Sequence, residues 1–245
     1  MKAVIVLVAT SVWCASAASI RGLSVDNRSL CDWLPFLCPW QKCPVVSPVD
    51  DFDLDKYIEK SWFVQMQQVN PYQAEDQLFC VTATYSKQED SSYIKVQNYA
   101  NQDEVNGSPV GTEGGFSDLC AKQKEEGTGE LAVAPCLFTN LGLFDFIAGP
   151  YWVLAVDADY TWAIISGGQP TEVEQEDPVL CTTKEGDSFL DTNGSGLWLF
   201  TREKIADQAT IDAMKNTLES LGVFTGNLKK VEQEGCLYEG ATIKA

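Results

Sequence analysis

Short runs of aromatic and β-branched residues recur along this chain, and glycine, proline, asparagine or other turn residues bound each run. Runs of this length and composition are typical of β-strands, whose side chains alternate between two faces. We predict about eight strands in sequential antiparallel order, without the helical crossovers that parallel strands need. They cover residues 62–69, 78–85, 93–99, 131–134, 151–157, 160–165, 196–202 and 228–236, with at most two short strands between residues 100 and 130.

The strand at residues 196–202 carries large apolar side chains on both of its faces. Alternation places Trp198, Phe200 and Arg202 on one face, and leucines occupy the other. An arginine beside two aromatic residues needs a partner, such as a carboxylate, backbone carbonyls or an aromatic ring, unless its head reaches water. Residues 207–221 follow with the pattern of an amphipathic helix, and residues 53–58 have the pattern of a short helical turn.

Apolar side chains on both faces mean that both faces of the sheet are covered. We therefore predict an all-β fold, an eight-stranded antiparallel up-and-down barrel with one C-terminal α-helix packed outside. The interior of an eight-stranded barrel either fills with side chains or holds one small ligand. Residues 141–147 are apolar and fit either a strand or a loop at the rim of a pocket.

The composition excludes several classes of function. The chain has no histidine, which rules out Ser-His-Asp and Cys-His catalysis and histidine-ligated zinc or haem. Its formal charge of −18 argues against nucleic acids and anionic membrane surfaces as partners. The acidic segments 101–130 and 171–191 lack the spacing of a calcium-binding EF-hand loop. We interpret them as solvated loops, and we expect neither a metal nor a cofactor.

The N-terminus has the features of a secretory signal. A positive residue, a short apolar run and the small residues before position 18 predict a signal peptide at residues 1–17. We predict a Cys/Pro-rich N-terminal arm at 18–49, the barrel at 50–238 and a tail at 239–245. No later stretch is long enough for stable membrane insertion. The expected location is extracellular or, alternatively, the lumen of an organelle entered through the secretory route, and Asn27, Asn106 and Asn193 are candidate glycosylation sites.

The cysteines predict disulfides. Of the nine cysteines, Cys14 lies in the signal, which leaves eight in an oxidising compartment. A zinc site is the alternative, but the close pair Cys38 and Cys43 has no second close pair beside it. Eight cysteines allow 105 pairings, and spacing alone does not choose among them.

Three motifs, in order along the chain, resemble those of the lipocalin family, most closely its apolipoprotein D branch. They are Lys60-Ser61-Trp62-Phe63 after a short helical turn, Tyr151 to Asp157, and Trp198 to Arg202 followed by the helix. The resemblance covers about residues 43–238. Two departures are Lys60, where the family has glycine, and Val156-Asp157-Ala158 in place of Thr-Asp-Tyr. The stretch Phe52 to Tyr57 is also similar to the xanthophyll-cycle de-epoxidases, which are enzymes on the same barrel.

The resemblance implies roles for particular residues. Arg202 would pack across Trp62 at the closed end of the barrel, and Cys80 would pair with Cys236. Cys43 would pair with Cys181, which leaves Cys31 with Cys38 and Cys120 with Cys136. The candidate ligand-binding residues, each of which also fits an ordinary core position, are Tyr57, Val64, Met66, Ala83, Tyr85, Val96, Asn98, Tyr151, Val153, Trp198 and Phe200.

Three functions fit this sequence. The first is a secreted carrier that binds a small hydrophobic molecule, such as a lipid, sterol, retinoid or carotenoid, in the barrel. The second is a lipocalin-fold enzyme that acts on a lipid or carotenoid with paired carboxylates as acid and base. The third is a secreted interaction protein with a filled barrel, whose partner the sequence does not identify. A pair of carboxylates inside the barrel would distinguish the second function from the other two.

Overall fold

The computed structural model describes residues 43–89, 91–111, 118–175, 177–184 and 194–245. The predicted signal peptide and most of the N-terminal arm lie outside the described residues. So do Cys31, Cys38, Asn27 and Asn193. The predicted boundaries of the arm and the signal therefore stay predictions.

Eight antiparallel strands form a closed barrel, as the sequence predicts. Each strand pairs with the next along the chain, and the last of the eight pairs with the first, so the barrel has no free edge. The eight are β1 (Trp62–Gln68), β2 (Phe79–Lys87), β3 (Ile94–Asn101), β5 (Leu119–Gln123), β6 (Glu130–Pro135), β7 (Gly149–Val156), β8 (Trp162–Ser166) and β11 (Leu197–Thr201).

Four short strands lie outside this ring. The strand β4 (Pro109–Val110) pairs with β3, and β12 (Leu228–Lys230) pairs with β1. A separate two-stranded sheet joins β9 (Glu172–Val173) to β10 (Cys181–Thr182) in the connection between β8 and β11.

The C-terminal helix α4 (Gln208–Ser220) packs on the outside of the barrel. The side chain of Asp207 caps it by accepting a hydrogen bond from the backbone N–H of Thr210 at 2.7 Å. Its buried residues, Ile211, Met214 and Leu218, follow the helical period and contact the outward-facing leucines of β11. This cluster covers the outer face of β8 and β11, so the predicted burial of both faces of the last strand is confirmed.

Three shorter α-helices and one 3-10 helix (Glu75–Gln77) complete the secondary structure of the described residues. Helix α1 (Leu54–Glu59) precedes β1, and α2 (Leu137–Asn140) and α3 (Phe144–Ile147) lie in the connection between β6 and β7. Residues 141–147 therefore form a loop with helical turns, and the strand alternative for them is wrong. Phe144 is buried there against Tyr93 and anchors the connection.

The closed end of the barrel is built around Arg202. Its guanidinium carbon lies 3.4 Å from the centre of the Trp62 ring. Its N–H groups donate to five backbone carbonyls, those of Lys56, Tyr57, Lys60, Ser61 and Tyr160. Burial lowers the pKa of Arg202 to about 10, which leaves the guanidinium charged at neutral pH. The arginine therefore joins helix α1, the start of β1 and the turn between β7 and β8.

Three disulfides are present among the described residues. They join Cys43 to Cys181, Cys80 to Cys236 and Cys120 to Cys136, which are pairs that the resemblance implies.

The tail is part of the packed structure. The backbone N–H of Lys244 donates to the Ser61 hydroxyl at 2.8 Å, and its ammonium group donates to the carbonyls of Ile58 and Tyr85. Of the helices in the described ranges, none is long and apolar enough to cross a bilayer.

Candidate functional site

The barrel interior holds most of the predicted ligand-binding residues. Strand alternation brings their side chains together into one apolar cluster, which we call the inner cluster. Helix α1 adds a tyrosine to it from the closed end. Buried members of this cluster are Tyr57, Val64, Ala83, Tyr85, Val96, Val153 and Phe200, whereas Tyr151 and Trp198 pack against it and stay partly exposed.

Met66 is not in the interior, which is contrary to the position that its predicted role in ligand binding requires. A β-bulge shifts the register of β1 against β11 between Val64 and Met66. Met66 is thereby paired with Leu199 and packs in the outer cluster beneath helix α4. The inward position next to Trp198 is taken by Gln67, which the sequence analysis did not select. A bulge inserts one residue and so reverses the face of everything that follows it.

Asn98 lies apart from the enclosed cluster. It pairs with the inward-facing Ala83, but its side chain is exposed. It borders a cavity of about 480 Å³ that is also lined by Asp118 of the wall and by Gly240 and Thr242 of the tail. Asn98 therefore lies outside the apolar cluster of the interior, and its role as a ligand-binding residue stays a prediction.

Three tyrosine hydroxyls meet inside the barrel. The hydroxyl oxygen of Tyr151 lies 2.6 Å from that of Tyr57 and 2.6 Å from that of Tyr85. Burial raises the pKa of Tyr57 and of Tyr151 well above the ordinary value, and it raises the pKa of Tyr85 to about 12. All three groups are therefore uncharged hydroxyls at neutral pH, able to donate and to accept hydrogen bonds. We call them the tyrosine cluster.

The open end of the barrel is bounded by a stacked pair of rings. Trp198 stacks on Tyr72 of the connection between β1 and β2, with ring centres 6.4 Å apart. The Trp198 ring folds back over Gly196, where a Cβ atom would lie 2.1 Å from the indole. Gly196 also has a φ of +99°, which favours glycine. The Trp198 ring therefore points towards the open end and needs a residue without a side chain at position 196.

Glutamine side chains link the same connection to the barrel wall. Gln67 donates to the side-chain oxygen of Gln73 at 3.1 Å, and Gln73 donates to the backbone carbonyl of Gln77 at 3.2 Å. Gln77 in turn donates to the side-chain oxygen of Gln102, which follows β3. Gln67 is fully buried, and its own side-chain oxygen accepts no hydrogen bond. The series holds the connection between β1 and β2 across the open end.

Exposure of the inward-facing residues rises towards the open end. At the closed end Trp62, Tyr57 and Tyr85 are fully buried. Towards the open end Tyr151 and Trp198 are partly exposed, and so are Leu119 and Val133 on β5 and β6. The inward-facing apolar side chains of this half therefore keep surface that is accessible from the open end. The tyrosine cluster lies at the inner boundary of this space, through Tyr151.

The interior is uncharged. Among the described residues, the buried polar side chains are amides and hydroxyls, and none belongs to Asp, Glu, Lys or Arg. No group of three or more carboxylate or cysteine side chains in those residues is placed to hold a metal ion. The paired carboxylates that a carboxylate-based enzyme needs are therefore not found in the described interior.

The connection between β6 and β7 carries exposed apolar side chains. They belong to Leu137, Leu141, Leu143, Phe146 and Ile147, and Phe146 is 85% exposed. The disulfide from Cys120 to Cys136 and the buried Phe144 fix this connection to the barrel. The connection therefore presents an exposed apolar surface on the outside of β5 and β6.

One protein family matches the sequence. The lipocalin-like domain matches residues 52–175, from helix α1 into the connection after β8. No curated protein matches the chain.

Several solved structures are similar in fold. The major allergen Per a 4 from cockroaches is 14% identical, with 80% of this chain and 97% of that chain covered and a TM-score of 0.48. Lobster apocrustacyanin A1 is 15% identical, with 80% and 96% covered and a TM-score of 0.49. Insecticyanin from the tobacco hornworm Manduca sexta is 16% identical, with 79% and 87% covered and a TM-score of 0.49.

Proposed function

The chain belongs to the lipocalin-like domain family, and on that premise we propose that it is a carrier of one small hydrophobic molecule. The molecule occupies the open half of the barrel, between the tyrosine cluster and the stacked rings of Trp198 and Tyr72. A lipid, sterol, retinoid or carotenoid has the size and polarity for such a site. The resemblance of the motifs favours the apolipoprotein D branch of the family.

One observation carries this proposal. Inward-facing apolar side chains on β5, β6, β7 and β11 keep exposed surface, whereas the large aromatic side chains Tyr57, Trp62 and Tyr85 at the closed end are fully buried. An eight-stranded barrel with accessible apolar side chains in one half can hold one small ligand there. This difference favours a carrier over the interaction protein with a filled barrel.

Binding would follow from desolvation, without a covalent step. A ligand that buries about 300 Å² of apolar surface gains roughly 7 kcal/mol before the costs of association are subtracted. The Trp198 ring would supply a flat contact surface, held in place by Gly196 on one side and Tyr72 on the other. The enzyme alternative lacks support in the described interior, because none of the buried residues there carries a carboxylate.

We also propose that the protein is secreted. Three disulfides among the described residues fit an oxidising compartment, in agreement with the signal-like N-terminus. Asn106 is exposed in the loop after β3 and is the candidate glycosylation site among the described residues, although its side-chain nitrogen donates a hydrogen bond to the carbonyl of Gly235.

Titration of tryptophan fluorescence tests the carrier function. The purified protein is titrated with a panel of retinol, a sterol, a fatty alcohol and a carotenoid, and at least one probe should quench the fluorescence until saturation. Trp198→Ala should weaken the binding of that probe by about 1–3 kcal/mol, the range for loss of a large buried contact. It should also remove much of the quenching.

Trp162→Ala is the matched control. Trp162 lies on β8 and packs in the outer cluster beneath helix α4, so its loss should leave the affinity within about twofold of wild type. Equal loss of affinity in both variants would mean that the effect comes from destabilised folding. Absence of saturable binding across the panel would overturn the carrier function.

A further inference from the structure

We infer that the buried end of the ligand carries an uncharged oxygen group, an alcohol or a carbonyl, and that the site rejects carboxylates. The inference rests on the proposed carrier function and narrows its ligand class. It follows from two features of the interior, namely the three hydroxyls of the tyrosine cluster and the engagement of Arg202, the cation nearest to them, by other partners.

The tyrosine cluster is a polar patch in an apolar interior. Its three hydroxyls are joined through Tyr151, whose oxygen lies 2.6 Å from each of the other two. The residues that surround it in the inner cluster are aliphatic or aromatic. Hydroxyl groups donate to a carbonyl, and they both donate to and accept from an alcohol. Since Tyr151 is the partly exposed member, a ligand in the open half reaches the cluster through it.

The cation closest to the cluster is fully engaged elsewhere. Arg202 has five N–H donors, and five backbone carbonyls accept from it. Its guanidinium also lies on the Trp62 ring, which is itself fully buried. A carboxylate on the ligand would therefore have to take this arginine away from the closed end of the barrel.

Two lysines near the closed end are committed as well. The ammonium group of Lys244 donates to the backbone carbonyls of Ile58 and Tyr85, outside the inner cluster. The ammonium group of Lys56 lies 5.8 Å from the centre of the Tyr160 ring. None of the buried residues in the described part of the chain is a lysine or an arginine. A carboxylate inside would be a buried charge without a partner, which is far more costly than a buried hydroxyl.

Matched pairs of probes test this inference. All-trans-retinol is compared with all-trans-retinoic acid, and oleyl alcohol with oleic acid, by tryptophan quenching or by displacement. A pH of 7.5 is about 3 pH units above the ordinary pKa of a carboxylic acid, so nearly all of the acid is ionised. The acid would have to bind in its rare protonated form. We expect each alcohol to bind at least about tenfold more tightly than its acid. The difference should shrink by at least about threefold near pH 5.5, where more of the acid is protonated.

Removal of one hydroxyl gives a second readout. Tyr151→Phe should weaken the binding of both alcohols by about three- to tenfold, which is the usual effect of losing one hydrogen bond. The ratio between the affinity for each alcohol and the affinity for its acid should therefore become smaller. Tyr93→Phe is the control, because Tyr93 packs outside the barrel against Phe144. It should leave every affinity within about twofold of wild type.

The outcomes separate this inference from the carrier function. Acids that bind as tightly as their alcohols near pH 7.5, or a Tyr151→Phe variant that binds the alcohols like wild type, would overturn the inference and leave the carrier function standing. Failure of both alcohols and of the sterol to bind would overturn it too, because no alcohol would then be accepted. In that case the carrier function would be decided by a carotenoid hydrocarbon, which has no oxygen group.

Discussion

Replacement of Arg202 by alanine should destabilise the barrel at its closed end. The substitution removes the guanidinium from the Trp62 ring, 3.4 Å away. It also removes five hydrogen bonds to backbone carbonyls at the end of helix α1, at the start of β1 and in the turn before β8. These carbonyls belong to segments that are distant in sequence, so a single side chain closes this end.

The expected loss is about 3–5 kcal/mol. An arginine on an aromatic ring contributes roughly 0.5–2 kcal/mol. A hydrogen bond from a charged donor contributes about 1.5–3 kcal/mol when buried. Because Arg202 is only partly buried, water can replace part of each hydrogen bond that the substitution removes. We therefore count a loss of roughly 0.5 kcal/mol of stability for each of the five carbonyls. Arg202→Lys keeps the charge but has three donors in place of five, so it should lose about half as much as Arg202→Ala.

Urea unfolding followed by tryptophan fluorescence measures these losses. The slope of the free energy of unfolding with urea should be the same in wild type and variants, and the midpoint should fall. Binding of the probe that wild type binds should be preserved under folding conditions, since Arg202 lies beyond the tyrosine cluster. A loss below about 1 kcal/mol would refute the reasoning about the closed end. Loss of binding without loss of stability would mean that Arg202 is a ligand-binding residue.

Further predictions concern the inner and outer clusters. Because burial raises the pKa of Tyr57, Tyr85 and Tyr151, the folded chain keeps protons that the unfolded chain loses above about pH 10. These groups should therefore leave the free energy of unfolding unchanged below about pH 10 and lower it as the pH rises towards 12. The slope of the free energy of unfolding against pH should be shallower in Tyr85→Phe than in wild type, and an equal slope would contradict this prediction. Met66→Ala should lower stability by about 2–3 kcal/mol and leave ligand affinity unchanged, because the side chain lies in the outer cluster; weaker binding by the folded variant would contradict this placement. Met214→Ala should cost about 2–5 kcal/mol in the same denaturant assay, since this residue is fully buried between helix α4 and the barrel, and a cost below about 1 kcal/mol would contradict this.

The barrel is predictable from the sequence because alternation and turn residues are local properties of each strand. The last strand shows this, since Trp198 and Phe200 face inward and Leu197 and Leu199 face helix α4, as their spacing requires. One member of the ring differs from the prediction, because β5 (Leu119–Gln123) completes the barrel, whereas residues 228–236 supply only the short β12 (Leu228–Lys230), which pairs with β1 outside the ring. The late helix is equally plain, because Ile211, Met214 and Leu218 mark one face.

Positions that depend on irregular pairing are not predictable in this way. The bulge between Val64 and Met66 has no signature in the sequence, so alternation assigns Met66 to the interior and overlooks Gln67. A second bulge, between Val153 and Ala155, turns both Leu154 and Ala155 towards the outer cluster. The face that a residue presents after a bulge is known only when the partner strand is known.

The residues at the open end depend on how the connections fold back. Tyr72 lies beyond the end of β1, and only its stacking on Trp198 places it at the opening. Helices α2 and α3 have no side-chain cap, which removes the usual signal for a helix start and explains why residues 141–147 resemble a strand. The tyrosine cluster brings together helix α1, β2 and β7, and each tyrosine taken alone fits an ordinary core position.

Mass spectrometry of an organic extract tests the central claim most directly. The protein is purified from its native source without denaturation, and the extract is compared with one from the Trp198→Ala variant produced in the same host. The proposed carrier should yield one class of uncharged hydrophobic molecule at close to one per chain, and the variant should yield much less. An extract without any such molecule, from protein that also fails to bind the probe panel, would contradict the account.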